Sequence, residues 1–479
     1  MKQGIFGYIS TSTNVLTQYR YGDYMFTIKK VAGASVALGL VLTGVASLPA
    51  DARSKVPPKT LTIWADESRS GNLTKAIGTF EEQTVSEYVQ GYKIKVVGYS
   101  GFDALKTAID SATSASGPDI VLGANDWVPT LAKDGKLAQF TLSSSAAKQF
   151  TKNQLGDLSY GGKLYGVPLD INNVAMLTND DLTDVPTSFG AMVAYYKANK
   201  VSEGLTRGLC VAGGGMSWGA AGILSALGGA PYAMSGGSAK TTGSPFTVKT
   251  FSDNVKAQLL NSDGTPNGFF TNSDANCKQD FIDGKVPYAV IGNWEWKDYV
   301  KEGFDMKKLS CVPGIKVGSC GAGFGSVSGA LLTSFAAAGG DDNAAKSFLN
   351  DFFGSASGAM SYQKYEQRPP ANKAAAAIAS PALKGFGTAA SKASIPQLGT
   401  FLNGGAKDTT GLVLSTTKDA KGKLIPGTKG ANIPNYWDAL PALWTALVSS
   451  DAAERKDPTV ASQLFANIMA ANAANSKNN

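Results

Sequence analysis

Apolar and polar residues alternate over Thr60–Trp64, through Leu61 and Ile63, and again over Lys93–Val97, through Ile94 and Val96. A two-residue period predicts strands. Between these runs Leu73, Ile77 and Phe80 recur at helical spacing, and after them Leu105, Ala108 and Ile109 mark a second helix. Asp119–Leu122, opened by Gly117-Pro118, is a short apolar run that predicts a third strand. The order β-α-β-α-β predicts an α/β lobe with a largely parallel sheet. Ligands of such sheets bind beyond the carboxyl ends of the strands. Two polar groups fall there: Asp66, Glu67 and Arg69 after the first strand, and Asn125-Asp126-Trp127 after the third. Carboxylates at such positions accept hydrogen bonds from hydroxyl groups, and an arginine donates them. Spacing alone leaves this level with helix capping by Asp66 and Asp126, and with an ion pair for Arg69.

Tyr160–Gly166 reads as a hairpin around Gly161-Gly162. Cys210–Trp218 reads as a flexible loop ending in an aromatic residue, and residues 235–245 as an exposed Gly/Ser/Thr loop. In Phe281–Trp296 a short strand, Val286–Ile291, is predicted, with Pro287 placing it at a sheet edge or at its own first residue. Trp294 and Trp296 would then point to opposite faces of an extended backbone, one inward and one toward a cleft. A flat indole in a cleft suits the apolar face of a sugar ring; the alternative is two core tryptophans. Ala344–Phe353 predicts an amphipathic helix, Ala371–Ala379 an Ala-rich one, and Thr409–Gly430 a surface loop. Ile433–Trp437 opens a terminal helix carrying Leu440, Leu443, Trp444 and Leu447, with Trp444 in the core and a disordered tail after Ala470.

Composition narrows the chemistry. At 479 residues there is room for two or three domains. The chain has no histidine, which removes Ser-His-Asp and Cys-His catalysis and imidazole-dependent zinc sites. Its formal charge of +7 comes without a basic cluster, so nucleic acid is not an expected partner. No glycine-rich run ends in Gly-Lys-Ser/Thr, so the 55 glycines do not argue for nucleotide binding. Residues 25–52 read as an export signal: Lys29-Lys30, an apolar run Val31–Leu48, and small residues at Ala50 and Ala52 flanking Asp51. A retained membrane anchor is the alternative, and Met25 competes with Met1 as the start. Val45 stands where a lipidated cysteine would follow Leu42-Thr43-Gly44. Four cysteines behind such a signal predict disulfides, taken as Cys311–Cys320 around a turn-rich spacer and Cys210–Cys277; buried free thiols are the alternative.

The run F-x-x-G-K-x-x-x-x-x-x-G-x-W-x-W (Phe281–Trp296) resembles the extracellular binding proteins of maltose- and maltodextrin-type ABC importers. So do, in the same order along the chain, Leu61–Arg69, Gly117–Trp127, Leu131–Leu137, Tyr160–Asp170, Met176–Leu182, Arg368–Lys373 and Ile433–Trp437. The resemblance implies a two-lobe periplasmic-binding-protein fold, each lobe a mostly parallel sheet flanked by helices. Residues 53–170 plus 329–366 would form one lobe and 171–328 plus 367–479 the other, after an upstream segment and signal over 1–52. Val167–Leu177, Phe324–Leu332 and Arg368-Pro369-Pro370 would be the crossings. It further implies a non-enzymatic monomer without cofactor that captures a maltose- or maltodextrin-type sugar for the permease subunits of an importer. Trp218, Trp294 and Trp437 would stack on sugar rings, with Trp296, Tyr436 and Arg368 as further contacts. Asp66, Glu67, Arg69 and Asp126 would bond hydroxyls. Asn172 stands where similar proteins carry a carboxylate, which changes the donor pattern there. Two rivals remain: a secreted glycoside hydrolase using Glu67 and Asp126, and the same fold holding another oligosaccharide, a polyamine or a metal. Lack of histidine weighs against the metal.

Overall fold

The first alternating run is a strand, β1 (Lys59–Asp66). Its odd positions Leu61, Ile63 and Ala65 enter one apolar cluster and Trp64 enters another, so both faces are covered. That is the usual condition of a parallel strand. The computed structural model describes residues 59–81, 92–235, 238–240, 246–366, 368–392, 394–396, 406–407 and 432–475. The export signal, the alternative start at Met25 and the loop over 409–430 lie outside the described residues.

Helix α1 (Glu67–Glu81) follows β1, then β2 (Tyr92–Tyr99), α2 (Phe102–Ser111) and β3 (Ile120–Ala124). β1 pairs in parallel with both β2 and β3, as the β-α-β-α-β order predicts. β2 is the edge strand, and its exposed Lys93 and Lys95 discourage pairing with another chain. A 3-10 turn (Asn125–Trp127) leads from β3 into α3 (Val128–Lys133). The predicted hairpin is β4 (Ser159–Tyr160) with β5 (Lys163–Leu164). Gly161 and Gly162 have φ of 57° and 75°, the left-handed pair that a two-residue hairpin turn needs.

The molecule turns on the next strand, β6 (Gly166–Thr178), 13 residues long. Over Gly166–Asn173 it pairs antiparallel with β12 (Gly323–Leu332), and over Val174–Thr178 antiparallel with β10 (Tyr288–Gly292). The sheet runs β2-β1-β3-β12-β6-β10-β7, where β7 is Leu209–Val211. Two short strands join its sides: β11 (Leu309–Ser310) on β6 and β13 (Ser394–Pro396) on β12. Short pairs β8 (Ala233–Ser235) with β9 (Ser238–Lys240), and β14 (Ala406–Lys407) with β15 (Asn432–Ile433), lie apart from it. The sheet is therefore mixed. Parallel pairing holds at both ends, and the central pairs are antiparallel, where a mostly parallel sheet was expected.

Buried side chains divide near the middle of β6. Leu61, Ile120, Val167, Leu169, Phe348 and Ala371 share a cluster. Met176, Phe189, Leu209, Phe324, Tyr436 and Trp444 share another. Trp444 is fully buried, as its helical spacing predicts. Both disulfides form as expected, Cys210–Cys277 and Cys311–Cys320, each with Cα atoms 5.6 Å apart.

Several local expectations are corrected. Of the two placements expected for Pro287, the strand's start is met and the sheet edge is not: β10 lies between β6 and β7, and Pro287 directly precedes its first residue, where no ladder N–H is lost. The backbone turns after Gly292 and becomes helical at Trp296 (Trp296–Lys301), so Trp294 and Trp296 do not share a strand. Cys210–Trp218 is partly ordered into β7 and a π-helical turn (Gly215–Gly219). Ser235 and residues 238–240 of the expected loop are paired strand. The helix Tyr436–Val448 is not terminal. A second helix, Pro458–Asn475, follows and buries Ala471 and Ala473, where a disordered tail was expected. Its apolar positions Ala461, Phe465, Ile468 and Met469 recur at helical spacing and could have announced it.

Candidate functional site

Asp66 is the last residue of β1 and Arg69 lies in the first turn of α1; both are almost fully buried. Arg69 Nη1 donates to Asp66 Oδ2 at 2.7 Å. Arg69 Nη2 donates to Asp170 at 3.1 and 3.3 Å and to Ser328 Oγ at 2.9 Å. Asp170 on β6 and Ser328 on β12 face each other across a β-bulge: Ser328 pairs with Asp170 but Gly329 with Pro168, leaving Leu169 as the extra residue. A bulge re-aims side chains, and here it turns two polar groups toward one guanidinium. Asn172 Nδ2 also donates to Ser328 Oγ.

Beyond Asp66 the network continues. Asp66 Oδ1 accepts from Ser68 N at 3.1 Å and from the Ser68 hydroxyl. This is the capping geometry that the spacing had left level with a pocket role. Ser68 Oγ accepts from Arg368 Nη2 at 2.7 Å, and Arg368 Nη1 donates to Glu366 at 2.9 Å. Glu366 accepts from Tyr362 Oη at 2.8 Å. Burial would raise the Asp66 carboxyl, but Arg69, Arg368 and the Ser68 hydrogen bond outweigh it and bring it down to about 2. Burial would lower Arg69, yet Asp170 and Asp66 push it up. Burial, then Glu366, raises the Tyr362 phenol. The three carboxylates Asp66, Asp170 and Glu366 thus sit against two guanidinium groups.

A second group is aromatic. Trp218, in the π-helical turn, and Trp294, in the turn after β10, are both half-buried. Their rings are 5.5 Å apart and tilted by 45°. Each folds back over a glycine. A Cβ at Gly214 would meet Trp218 Cε3 at 2.6 Å, and one at Gly292 would meet Trp294 Cε2 at 2.3 Å. Tyr436 is fully buried and its hydroxyl donates to Ser217 O at 3.1 Å. It props the Trp218 turn and offers no ring face of its own, which corrects its expected role as a ring contact. Trp437 is half-buried, 5.2 Å from the Tyr436 ring and 5.9 Å from Phe324.

The remaining candidates spread out. Glu67 is exposed at the start of α1. Asp126 is buried at the carboxyl end of β3, beside Ala124, which pairs with Ser328. Trp296 heads a helix and packs partly buried on the cluster around Ala175 and Phe281. Arg368 is committed to Glu366 and Ser68. The network members Asp170, Ser328, Ser68, Glu366 and Tyr362 were not among the expected site residues. The one available signal was Asp170 inside an apolar strand run, where a buried carboxylate demands a partner.

Residues 75–389 match the family of bacterial extracellular solute-binding proteins. The chain is 28% identical over 176 residues to a maltooligosaccharide ABC transporter solute-binding lipoprotein of Streptococcus pneumoniae, covering 36% of this chain and 40% of that protein. It is 24% identical over 277 residues to a maltodextrin-binding protein of Bacillus subtilis, covering 56% and 63%. It is 23% identical over 149 residues to a galactooligosaccharide-binding protein of Bacillus subtilis, covering 31% and 34%. The matched stretches span less than two thirds of each relative's length.

Proposed function

Since the match spans more than half of it, the chain belongs to the bacterial extracellular solute-binding proteins, and we propose that it captures an oligosaccharide and delivers it to the permease of an ABC importer. A maltose- or maltodextrin-type sugar is the first choice of ligand. The observation that carries this is the Trp218–Trp294 pair, two half-buried indoles in the turns after β7 and β10, of which β10 is hydrogen-bonded to β6, the strand that also carries Asp170 of the Arg69 network. Indole faces cover the apolar side of sugar rings, and acceptor groups take their hydroxyls.

On this reading the chain has two lobes that meet at β6, close around the ligand by hinge motion, and favour the closed form because only it makes both sets of contacts. The division of apolar clusters near the middle of β6 supports the lobes. Ala371 packs with the first cluster and Phe386 with the cluster around Ala175 and Phe281, which supports a third crossing between them rather than at Arg368-Pro369-Pro370. Charge favours a neutral polyol over a polyamine, because Arg69 and Arg368 already offset most of the buried carboxylate charge. Hydrolysis by Glu67 and Asp126 is disfavoured because the matched family and the relatives are binding proteins.

The test is a tryptophan-fluorescence titration of the chain from residue 53 onward with maltose, longer maltodextrins, galactooligosaccharides and spermidine, followed by chromatography of the sugars. Saturable quenching or enhancement by an oligosaccharide, with that sugar recovered intact, is the expected result. Response to spermidine alone, or recovery of shortened sugars, would replace the reading.

A further inference from the structure

Between Gly292 and the half-buried Trp294 lies Asn293, a fully buried amide. Its Nδ2 donates to Ile171 O at 2.7 Å and to Asn173 Oδ1 at 3.0 Å. Its backbone N donates to Asn173 O at 3.2 Å. Asn173 is equally enclosed, and its Nδ2 donates to Phe386 O at 3.0 Å. The three bonds of Asn293 all reach β6 at Ile171 and Asn173, where the strand leaves β12 and takes up β10. We propose that Asn293, held by Asn173, is a positioning residue that sets the Trp294 indole for ligand stacking. This rests on reading Trp294 as a ring-stacking surface.

Three features separate this role from ordinary packing. A short amide is the neutral side chain that supplies two N–H donors from one atom, which the carbonyl of Ile171 and the amide of Asn173 both use. Asn293 Oδ1 accepts no hydrogen bond among the described residues, so the site carries a cost that an apolar residue would avoid. The indole has little freedom once the turn is pinned. Gly292 lies beneath it, with no room for a Cβ, and the Trp218 ring flanks it at 5.5 Å. On the other side of the same stretch, Asn172 bonds Ser328, which holds Arg69. Three consecutive residues of β6 thereby hold the indole turn and the acidic network in one frame.

The experiment is a double-mutant cycle on the full mature chain. Asn293→Leu keeps the branched heavy-atom skeleton, with bulkier methyl groups in place of the amide, and removes the donors. Its dissociation constant for the best-bound oligosaccharide should rise about ten-fold or more in the native background and stay within about two-fold in a Trp294→Ala background. Equal losses in both backgrounds, or no loss in the native one, would overturn the proposal. Gly292→Ala, which displaces the indole directly, gives the same cycle if Asn293→Leu does not fold. A ligand-free readout separates this from the sugar reading. The emission contributed by Trp294, taken as the difference from a Trp294→Phe protein, should shift to longer wavelength in Asn293→Leu. If no sugar in the panel binds but that shift appears, the sugar reading fails and the positioning of the ring stands; an unshifted emission overturns the positioning.

Discussion

Replacing Arg69 by methionine keeps most of the buried stem and removes the charge that binds two carboxylates. Arg69 is 3% exposed, Asp66 4% and Asp170 1%, so water cannot take its place. Against an ordinary carboxyl at 3.8, the fall of Asp66 to about 2 corresponds to about 2.5 kcal/mol of stability at neutral pH. Asp170 loses both of its contacts to Nη2 as well. Breaking one member of a buried ion pair costs about 3–5 kcal/mol, and that is the loss expected at pH 7 in urea unfolding followed by circular dichroism with disulfides intact. The sign with pH follows from the depressed carboxyl. Its contribution is complete above about pH 4 and disappears as the pH falls through about 2. The native chain gives up that stability over this window. The variant has lost the largest of the charges that hold Asp66 down and has correspondingly less to give. The gap between the two proteins is therefore widest at neutral pH and narrows in acid. Neutralising the partners too, with Asp66→Asn and Asp170→Asn, should recover most of the loss. A gap below about 1 kcal/mol at pH 7, or one that widens toward pH 2, would refute the ion-pair account.

Three further outcomes follow from other parts of the molecule. Cys210–Cys277 closes 67 residues and Cys311–Cys320 closes 9. Loop-closure entropy then predicts that removing the first pair costs about 4 kcal/mol and the second about 2.5, compared by melting of the two double-alanine variants. Trp444 is buried with its Nε1 unpaired among the described residues. Trp444→Phe should therefore cost no more than about 1.5 kcal/mol and Trp444→Ala about 3–5, read by denaturant midpoint. In the sugar titration, Trp218→Ala should weaken binding by about ten-fold or more, whereas Trp296→Ala, which alters a helix start, should leave it within about two-fold.

Much of the fold was legible because it is local. The period-two runs at Leu61 and Ile94 and the helical spacing of Leu73, Ile77 and Leu440, Leu443 became the strands and helices they predict. Gly161-Gly162 announced its hairpin through the backbone freedom that only glycine offers there. Expectations failed where a distant partner decides. Pro287 left two placements open, a sheet edge or the strand's start, and only the pairing of β10 with β6 and β7 decides for the start, where a proline loses no ladder bond. Trp294 and Trp296 look alternating, yet the Asn293 bonds to β6 turn the chain between them. Gly292 and Glu295 close that turn locally, Gly292 N donating to Glu295 Oε1 at 2.8 Å, but the strand that holds Asn293 lies more than a hundred residues away.

The candidate site shows the same limit more sharply. Asp66, Arg69 and Arg368 carry a visible chemical signal, but the role of Arg69 depends on Asp170 and Ser328, 101 and 259 residues away, and that of Arg368 on Ser68, 300 residues away. Two of these meet Arg69 only because Leu169 is an extra residue in the pairing of β6 with β12. Without that bulge the pairing register would shift by one, and Asp170 and Ser328 would exchange faces relative to each other. The guanidinium would then be buried without sufficient counter-charge, a worse outcome than exposing it. The bulge, the arginine and the two acids are thus mutually required. A substitution that straightens β6 at Leu169 should act on stability and on the acid limb in the manner of Arg69→Met, although it removes no charge.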